Sequence, residues 1–365
     1  MARLRTEIRK FDHLDIALKE DVGFHLSNWL DDAHLIHNAL PELDLDEIDL
    51  GVEFLGHRIR APILIESMTG GTGKASKLNE ILAKAAEKFG IPLGLGSQRA
   101  ALESPRLART FKVAREAAPS IPIFANIGVP QIIGEDGPEI ASSVVDMVGA
   151  DALCIHLNAL QEVIQPEGEP RFSRGLEAIA AIAKSLRVPV IAKETGCGIS
   201  GEVAKALERA GVACIDIGGA GGTSWSAVEC HRAKRMGFKK RERIGLAFWD
   251  WGIPTGASLL EASNSTGLPL ISSGGLRDGL DVAKSIALGA SLGGFARKLL
   301  LAANMGQRRL EEALEILLDE LRIAMFLTGC RDVDELRRAP VVLSGRLLEW
   351  ARLRGIDPEK YSMRR

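Results

Sequence analysis

The residues richest in chemical potential lie at the ends of short apolar runs. In SSGGLRDGLDVAKSIALGA (272–290), Gly274 and Gly275 follow such a run and precede a helix-like stretch, and SLGGFAR (291–297) comes one helix later. Glycine lets a phosphate approach the backbone, and a helix N-terminus offers oriented N–H donors at the positive end of its dipole. Two such ends in succession point to a phosphate-bearing cofactor or substrate. The run HLNALQE (156–162) groups His156 with Asn158, Gln161 and Glu162. In that company His156 reads as a ligand-binding residue, where alone it would read as a satisfied core histidine. Lys193, at the tip of PVIAKE (189–194), is a charge no packed core requires, and Glu194 beside it reads as its ion-pair partner. A G-x-G-x-x-G fingerprint with its downstream acid is not evident in this context.

Eight apolar runs carry these ends: PILIESM (62–68), PLGLGS (92–97), IPIFANIG (121–128), ALCIHLN (152–158), PVIAKE, CIDIGG (214–219), PLISSGG (269–275) and SLGGFAR. Continuous apolar runs suit strands buried on both faces, as in a parallel sheet. The spacers read as helices, among them KASKLNEILAKAAEKFG (74–90) and SGEVAKALERAG (200–211), each closed by glycine. Strand–helix alternation makes an α/β fold. Eight units predict a (β/α)₈ TIM barrel, with a doubly wound open sheet as the other arrangement. In such a barrel the active site lies at the C-terminal ends of the strands, which here are polar or glycine-rich.

Around a barrel at 61–305 stand an N-terminal extension (1–60) and C-terminal helices (306–365) that cap it or make subunit contacts. RLEEALEILLDELRIAMFLTG is amphipathic, and VVLSGRLLEWARLRG reads as a further helix. The longest insertion, about 220–268, contains HRAKRMGFKKRER (231–243), which reads as a solvated helix face and loop.

Composition narrows the function classes. The 365 residues carry 46 Lys+Arg against 48 Asp+Glu, a net charge of −2, which argues against a dedicated nucleic-acid binder. With 46% hydrophobic residues the chain can bury a sizeable core, yet no run approaches the ~20 apolar residues of a membrane helix. The opening MARLRTEIRKFDHLD lacks the apolar stretch of a secretory signal. Five cysteines (Cys154, Cys197, Cys214, Cys230, Cys330) form no CxxC pair, so neither a disulfide scaffold nor a cysteine zinc site is expected, and the usage fits a reducing cytoplasm. Asp12, His25, His34, His37 and His57 read as surface residues.

The segments RKFDHLDI (9–16), SMTGGTG (67–73), IPLGLGSQRA (91–100), FANIGVPQ (124–131), HLNALQEVIQPEGEP (156–170), GGTSW, DWGIPT (250–255) and GGLRDGLD (274–281) resemble the flavin-dependent, type 2 isopentenyl-diphosphate isomerases from about residue 9 to the final helices. MTGG and SGGLRDG occur more loosely across flavin-binding barrels; HLN-x-x-QE-x-x-QPEGEP and RK-x-x-H are far more restrictive.

The resemblance implies an enzyme interconverting isopentenyl and dimethylallyl diphosphate with reduced FMN as acid–base cofactor, Mg²⁺ bridging the diphosphate and NADPH as reductant. It implies a cytoplasmic homo-oligomer, tetramer or octamer, with a small isoprenoid diphosphate as substrate and neither nucleic acid nor membrane as partner. Flavin contacts fall on Ser67, Met68, Thr69, Ser97, Asn126, Lys193 and Thr223, and flavin-phosphate contacts on Gly275, Leu276, Arg277, Ala296 and Arg297. Substrate contacts fall on Arg9, Lys10, His13, Ser97, Gln98, Arg99, His156, Asn158 and Gln161, and the magnesium ligand is Glu162. Cationic side chains and a metal bridge are the clamp a diphosphate requires, and one carboxylate suffices because magnesium keeps water and phosphate oxygens. Trp225 lines the apolar part of the site or packs beneath it. The chain departs from the family at Arg297, where a smaller or apolar residue is expected, and at Gly218–Gly219, where the family is more polar.

Three other functions compete. An FMN-dependent 2-hydroxy-acid oxidase needs a catalytic histidine late in the barrel, and none follows PVIAKE or CIDIGG. A dehydrogenase of the inosinate type needs a nucleophilic cysteine after the sixth strand, where Cys214 comes too early and Cys230 too late. A non-catalytic flavin or phosphoprotein scaffold does not need polar residues at most strand ends.

Overall fold

Eight parallel strands close on one another in chain order in the computed structural model, which describes residues 2–364. They are β1 (Ile63–Ile65), β2 (Leu93–Gly94), β3 (Ile123–Gly128), β4 (Ala152–His156), β5 (Val190–Lys193), β6 (Cys214–Asp216), β7 (Leu270–Ser273) and β8 (Leu292–Phe295). Closure is made by β8 against β1, with Gly293 opposite Ile63 and Phe295 opposite Ile65. Every strand residue is buried except His156 at the tip of β4, as continuous apolar runs with helices outside them require.

The helices follow the sequence signals closely. Thr72 caps the helix Gly73–Phe89 by accepting from the Ala75 amide, and Ser200 does the same for Gly201–Arg209 through Val203. The amphipathic C-terminal stretch forms Gln307–Thr328. The segment after it corrects the sequence reading. Val341–Leu343 is a strand, and the helix begins only at Gly345. Two adjacent valines favour extended backbone, and a partner exists in Ala33–Leu35, with Ala33 opposite Leu343. The N- and C-terminal segments are thereby tied to each other.

The rest of the N-terminal extension covers both ends of the barrel. A hairpin, Val52–Phe54 with His57–Ile59, sets the Phe54 ring 6.3 Å from Phe124 at the start of β3. At the opposite end, helix Ala2–Lys19 packs on the helices Trp225–Arg235 and Arg297–Asn304. The basic run 231–243 is not wholly a solvated face. Arg232 is buried, held by Glu167, by Glu229 at 3.4 Å and by Asp12 at 3.4 Å, so Asp12 is likewise no idle surface residue.

Candidate active site

A cavity of about 580 Å³ opens where the strand ends meet helix Ala2–Lys19. Its floor holds three buried ionisable groups. Lys193 Nζ lies 2.5 Å from Asp216 Oδ2 and 2.9 Å from Glu66 Oε2, and Ser273 donates to the other Asp216 oxygen. Burial opposes the lysine's charge, but Asp216 and then Glu66 outweigh it and raise its pKa. Burial and the neighbouring Asp216 push Glu66 up to about 8, so Glu66 keeps its proton at neutral pH while Lys193 keeps its charge. Glu194 is not the partner of Lys193. Successive strand residues face opposite ways, and Glu194 turns out to accept from the amides of Thr195, Gly196 and Cys197.

A chain of hydrogen bonds fixes the loop after β4. Thr195 Oγ1 donates to Asn158 Oδ1 (2.8 Å), Asn158 Nδ2 to Gln161 Oε1 (2.7 Å), and Gln161 Nε2 to Glu229 Oε1 (2.8 Å). The same Glu229 oxygen lies 2.7 Å from His13 Nε2. A carboxylate only accepts, so Nε2 carries the hydrogen. Burial lowers the His13 pKa despite Glu229, leaving the ring neutral, edge-on to Trp225 at 5.5 Å. With its amide oxygen turned towards Arg9, Gln165 bridges Arg9 Nη1 (3.2 Å) and Glu229 (3.1 Å). His156 is neutral as well. Burial, then Lys10 and Lys193, lowers it to about 3, and its Nδ1 lies 2.8 Å from Asn126 Oδ1.

Opposite this network three cations crowd together, of which Arg99 is paired with Glu103 and Glu169 at 2.8 Å each. Arg9 is buried, and burial followed by the charge of Arg99 lowers its pKa, with Glu162 acting the other way. Lys10 donates to the Ser97 carbonyl (3.3 Å) and is depressed to about 7 by burial, then by Arg9 and Arg99. Arg9 and Lys10, whose charges are disfavoured by burial and by neighbouring cations, are set to receive an anion. Glu162, also buried, faces the cavity and accepts from the Glu169 amide (2.8 Å). Among the described residues no group of three or more His, Cys, Asp or Glu is arranged to hold a metal. Glu162 therefore offers a single hard oxygen ligand.

On the far side the loops after β6 and β7 form a backbone cradle. Gly274 and Gly275 have φ of 106° and 86°, and a Cβ on either would lie 2.0 or 2.2 Å from the carbonyl oxygens of Gly219 and Gly221. Gly218 and Gly219 are required for the same reason: side chains there would meet Glu194 O at 2.2 Å and Thr255 Cα at 2.4 Å. Arg277 forks onto Asp31 (3.0 and 2.6 Å) and Asp281 (2.9 and 2.9 Å), so it braces the cradle between carboxylates.

The cavity lining includes Arg9, Lys10, His13, Ser97, Arg99, His156, Asn158, Gln161 and Glu162, with Ser67, Met68, Asn126, Lys193, Thr223 and Trp225, and then Gly275, Leu276, Arg277, Ala296 and Arg297. Two expected residues turn their side chains elsewhere. Thr69 hydroxyl donates to Asn79 behind the strand end, and Gln98 bonds the Val144 carbonyl (2.9 Å) and the Asn126 amide (3.0 Å). Both pin loops around the site. Missed in the sequence were Glu66, Asp216, Glu229 and Arg232. Asp216 had a signal, as a charge within an apolar strand; the Glu229–Arg232 pair has the spacing of any exposed helix pair. Among the described residues, the histidines lining the cavity are His13 and His156, on the N-terminal helix and β4.

The sequence profile of the FMN-dependent dehydrogenase family matches residues 156–343. An isopentenyl-diphosphate delta-isomerase from Archaeoglobus fulgidus is 49% identical over 352 residues, covering 96% of this chain and 100% of its own. One of the same name from Pyrococcus furiosus is 47% identical over 373 residues, covering 99% of this chain and 92% of its own. A Pediococcus acidilactici lactate oxidase structure superposes with a TM-score of 0.66 at 17% identity, over 94% of both chains. A mandelate oxidase does so at 0.61 and 19%, over 91% of this chain and 96% of its own. At those identities the two structures speak for the barrel alone.

Proposed function

The chain belongs to the isopentenyl-diphosphate delta-isomerases, and on that premise we propose that it interconverts isopentenyl and dimethylallyl diphosphate at the barrel mouth, in the manner of the FMN-dependent type 2 enzymes. The observation that carries this reading is the pairing, across one cavity, of a desolvated cation cluster with a glycine cradle. Arg9, Lys10 and Arg99 suit a diphosphate, and the cradle at Gly274–Gly275 suits the phosphate of a flavin nucleotide.

The residues between them fit a flavin. Glu66 Oε1 and Ser67 Oγ are buried without a hydrogen-bond partner among the described residues, and buried polar atoms of that kind call for a polar ligand edge. Lys193 sets a positive charge beside them. For magnesium the site would supply Glu162, one carboxylate being enough for an ion that keeps several waters. When bound, reduced FMN would supply the acid–base chemistry of the double-bond shift, NADPH its electrons, and Mg²⁺ positive charge for the diphosphate.

The protein's own work is to bind, orient and keep dry. Arg9, Lys10 and Arg99 grip the diphosphate, and Lys10 takes up a proton at Nζ as the anion arrives. Gln161 and His13 are aimed by Glu229, and His13 with Trp225 walls the isoprenoid from water, which protects a carbocation-like centre. In the same reading the enzyme is a homo-oligomer, tetramer or octamer, which sedimentation resolves. The deciding experiment adds FMN with NADPH or dithionite and supplies isopentenyl diphosphate. Dimethylallyl diphosphate should form without stoichiometric NADPH use. Full activity with oxidised flavin, or one NADPH per product, overturns the proposal.

A further inference from the structure

A cation at the barrel mouth carries the inference. Arg297 begins the helix Arg297–Asn304 directly after β8, and it lines the cavity beside the glycine cradle. Its side chain runs outward to the N-terminal helix: Nε donates to the Ala17 carbonyl (2.7 Å) and Nη2 to the Glu20 carbonyl (3.0 Å). Those carbonyls belong to the last turn of helix Ala2–Lys19 and the residue after it, where a helix leaves acceptors unsatisfied and a cation opposes the negative end of the dipole.

The described hydrogen bonds of Arg297 reach two carbonyls and no carboxylate. The Glu20 side chain is engaged by Arg235 at 2.9 Å, and Asp31 and Asp281 are engaged by Arg277 at 2.6 and 2.9 Å. The cradle thus has one arginine neutralised by carboxylates and another held, among the described residues, by main-chain carbonyls alone. Helix Ala2–Lys19 is anchored through its C-terminal half, where Leu14, Ile16 and Ala17 are buried. Ile16 and Val22 pack with Ala227 and Val228 in a small cluster apart from the barrel core, which Leu14 and Leu18 reach. Asp12 and His13 add polar ties to Arg232 and Glu229. The same helix carries Arg9, Lys10 and His13 into the cavity.

We propose that Arg297 is a positioning residue that couples the cofactor phosphate to the substrate-binding helix: an anion in the cradle compensates the guanidinium, which in turn fastens the carbonyl end of helix Ala2–Lys19. The proposal rests on FMN occupying the cradle. It predicts that the flavin's phosphate, remote from the diphosphate cluster, decides how well Arg9, Lys10 and His13 are presented.

The test is amide hydrogen exchange of the purified full chain, alone, with FMN, and with riboflavin, which lacks the phosphate, alongside flavin titrations by fluorescence. In the wild type, FMN should slow exchange in residues 8–19 by about tenfold and riboflavin should not, since the added contact is a charge-assisted one. Arg297→Met should abolish that slowing and weaken FMN about tenfold with riboflavin affinity unchanged. Arg297→Lys keeps the charge without the fork, so it should retain the preference for FMN and lose the protection of the helix. Barrel amides in each variant report that the fold is intact. Equal protection by FMN and riboflavin, or full protection in either variant, overturns the coupling. Failure of the wild type to bind FMN at all overturns the flavin reading itself, and this inference with it.

Discussion

Glu66 and Lys193 meet across the barrel floor, Oε2 to Nζ at 2.9 Å, with Glu66 next to β1 and Lys193 at the end of β5. Asp216 from β6 shares the lysine at 2.5 Å, and the Glu66 side faces β8, where a Cβ on Gly294 would lie 2.3 Å from Oε1. One cation between two carboxylates leaves a spare negative charge, and burial decides that a proton, held on Glu66, removes it.

Stability should therefore depend on pH through Glu66. Its folded pKa, about 8, lies above the ordinary 4.5, so the folded state holds the proton more tightly than the unfolded chain. That contribution is complete below about pH 4.5 and is lost as pH rises through about 8. The denaturation midpoint of the wild type should fall from about pH 4.5 to about pH 8 and level off above it, and Glu66→Gln, which cannot ionise, should show a shallower fall. An identical slope in the variant would remove Glu66 from the account.

Binding of diphosphate should take up a proton at Lys10. Free Lys10 titrates near 7, so at pH 8 it is mostly neutral, and an anion beside it restores the charge. Calorimetry of inorganic pyrophosphate binding, in buffers of differing ionisation enthalpy, should report uptake of about one proton at pH 8. Lys10→Met should reduce the uptake to near zero and weaken binding about tenfold.

Glu229 should matter without lining the cavity. It accepts from His13 and Gln161 and faces buried Arg232, so Glu229→Gln sets an amide against donors and removes charge from a buried pair. Because Arg232 keeps Glu167, the expected loss is about 1–3 kcal/mol in chemical denaturation rather than unfolding. Turnover should fall with flavin content unchanged.

What the chain discloses before folding depends on how local the cause is. The barrel is legible because each strand is an uninterrupted apolar run, and the cavity because strand ends with no packing need are polar. Side-chain direction is less local. Gln98 lies between Ser97 and Arg99, both in the cavity, yet turns to Val144 because a helix starts at Arg99 and redirects it. Arg232 sits in a basic run whose composition matches a solvated face; its burial comes from Asp12 and Glu167, residues remote in sequence. Val341–Leu343 is a strand because Ala33–Leu35 is there to pair with it.

Glu162 lies on the short helix Ala159–Ile164 after β4 and the glycine cradle in the loops after β6 and β7, so their ligands should separate under mutation. Glu162→Gln keeps the shape and the oxygen that accepts from the Glu169 amide, so the loop should hold. The substitution removes the charge a hard cation needs from the one carboxylate assigned to it. Substrate affinity measured across a magnesium titration should then lose most of its magnesium dependence, while flavin content by absorbance stays at the wild-type level. Charge removal also leaves Arg9 less compensated, because Glu162 supports its protonated form. Diphosphate binding without magnesium should accordingly hold steady or tighten, which a merely misfolded variant would not do. Unchanged magnesium dependence would show that Glu162 is no ligand, and loss of flavin along with activity would assign it to the fold.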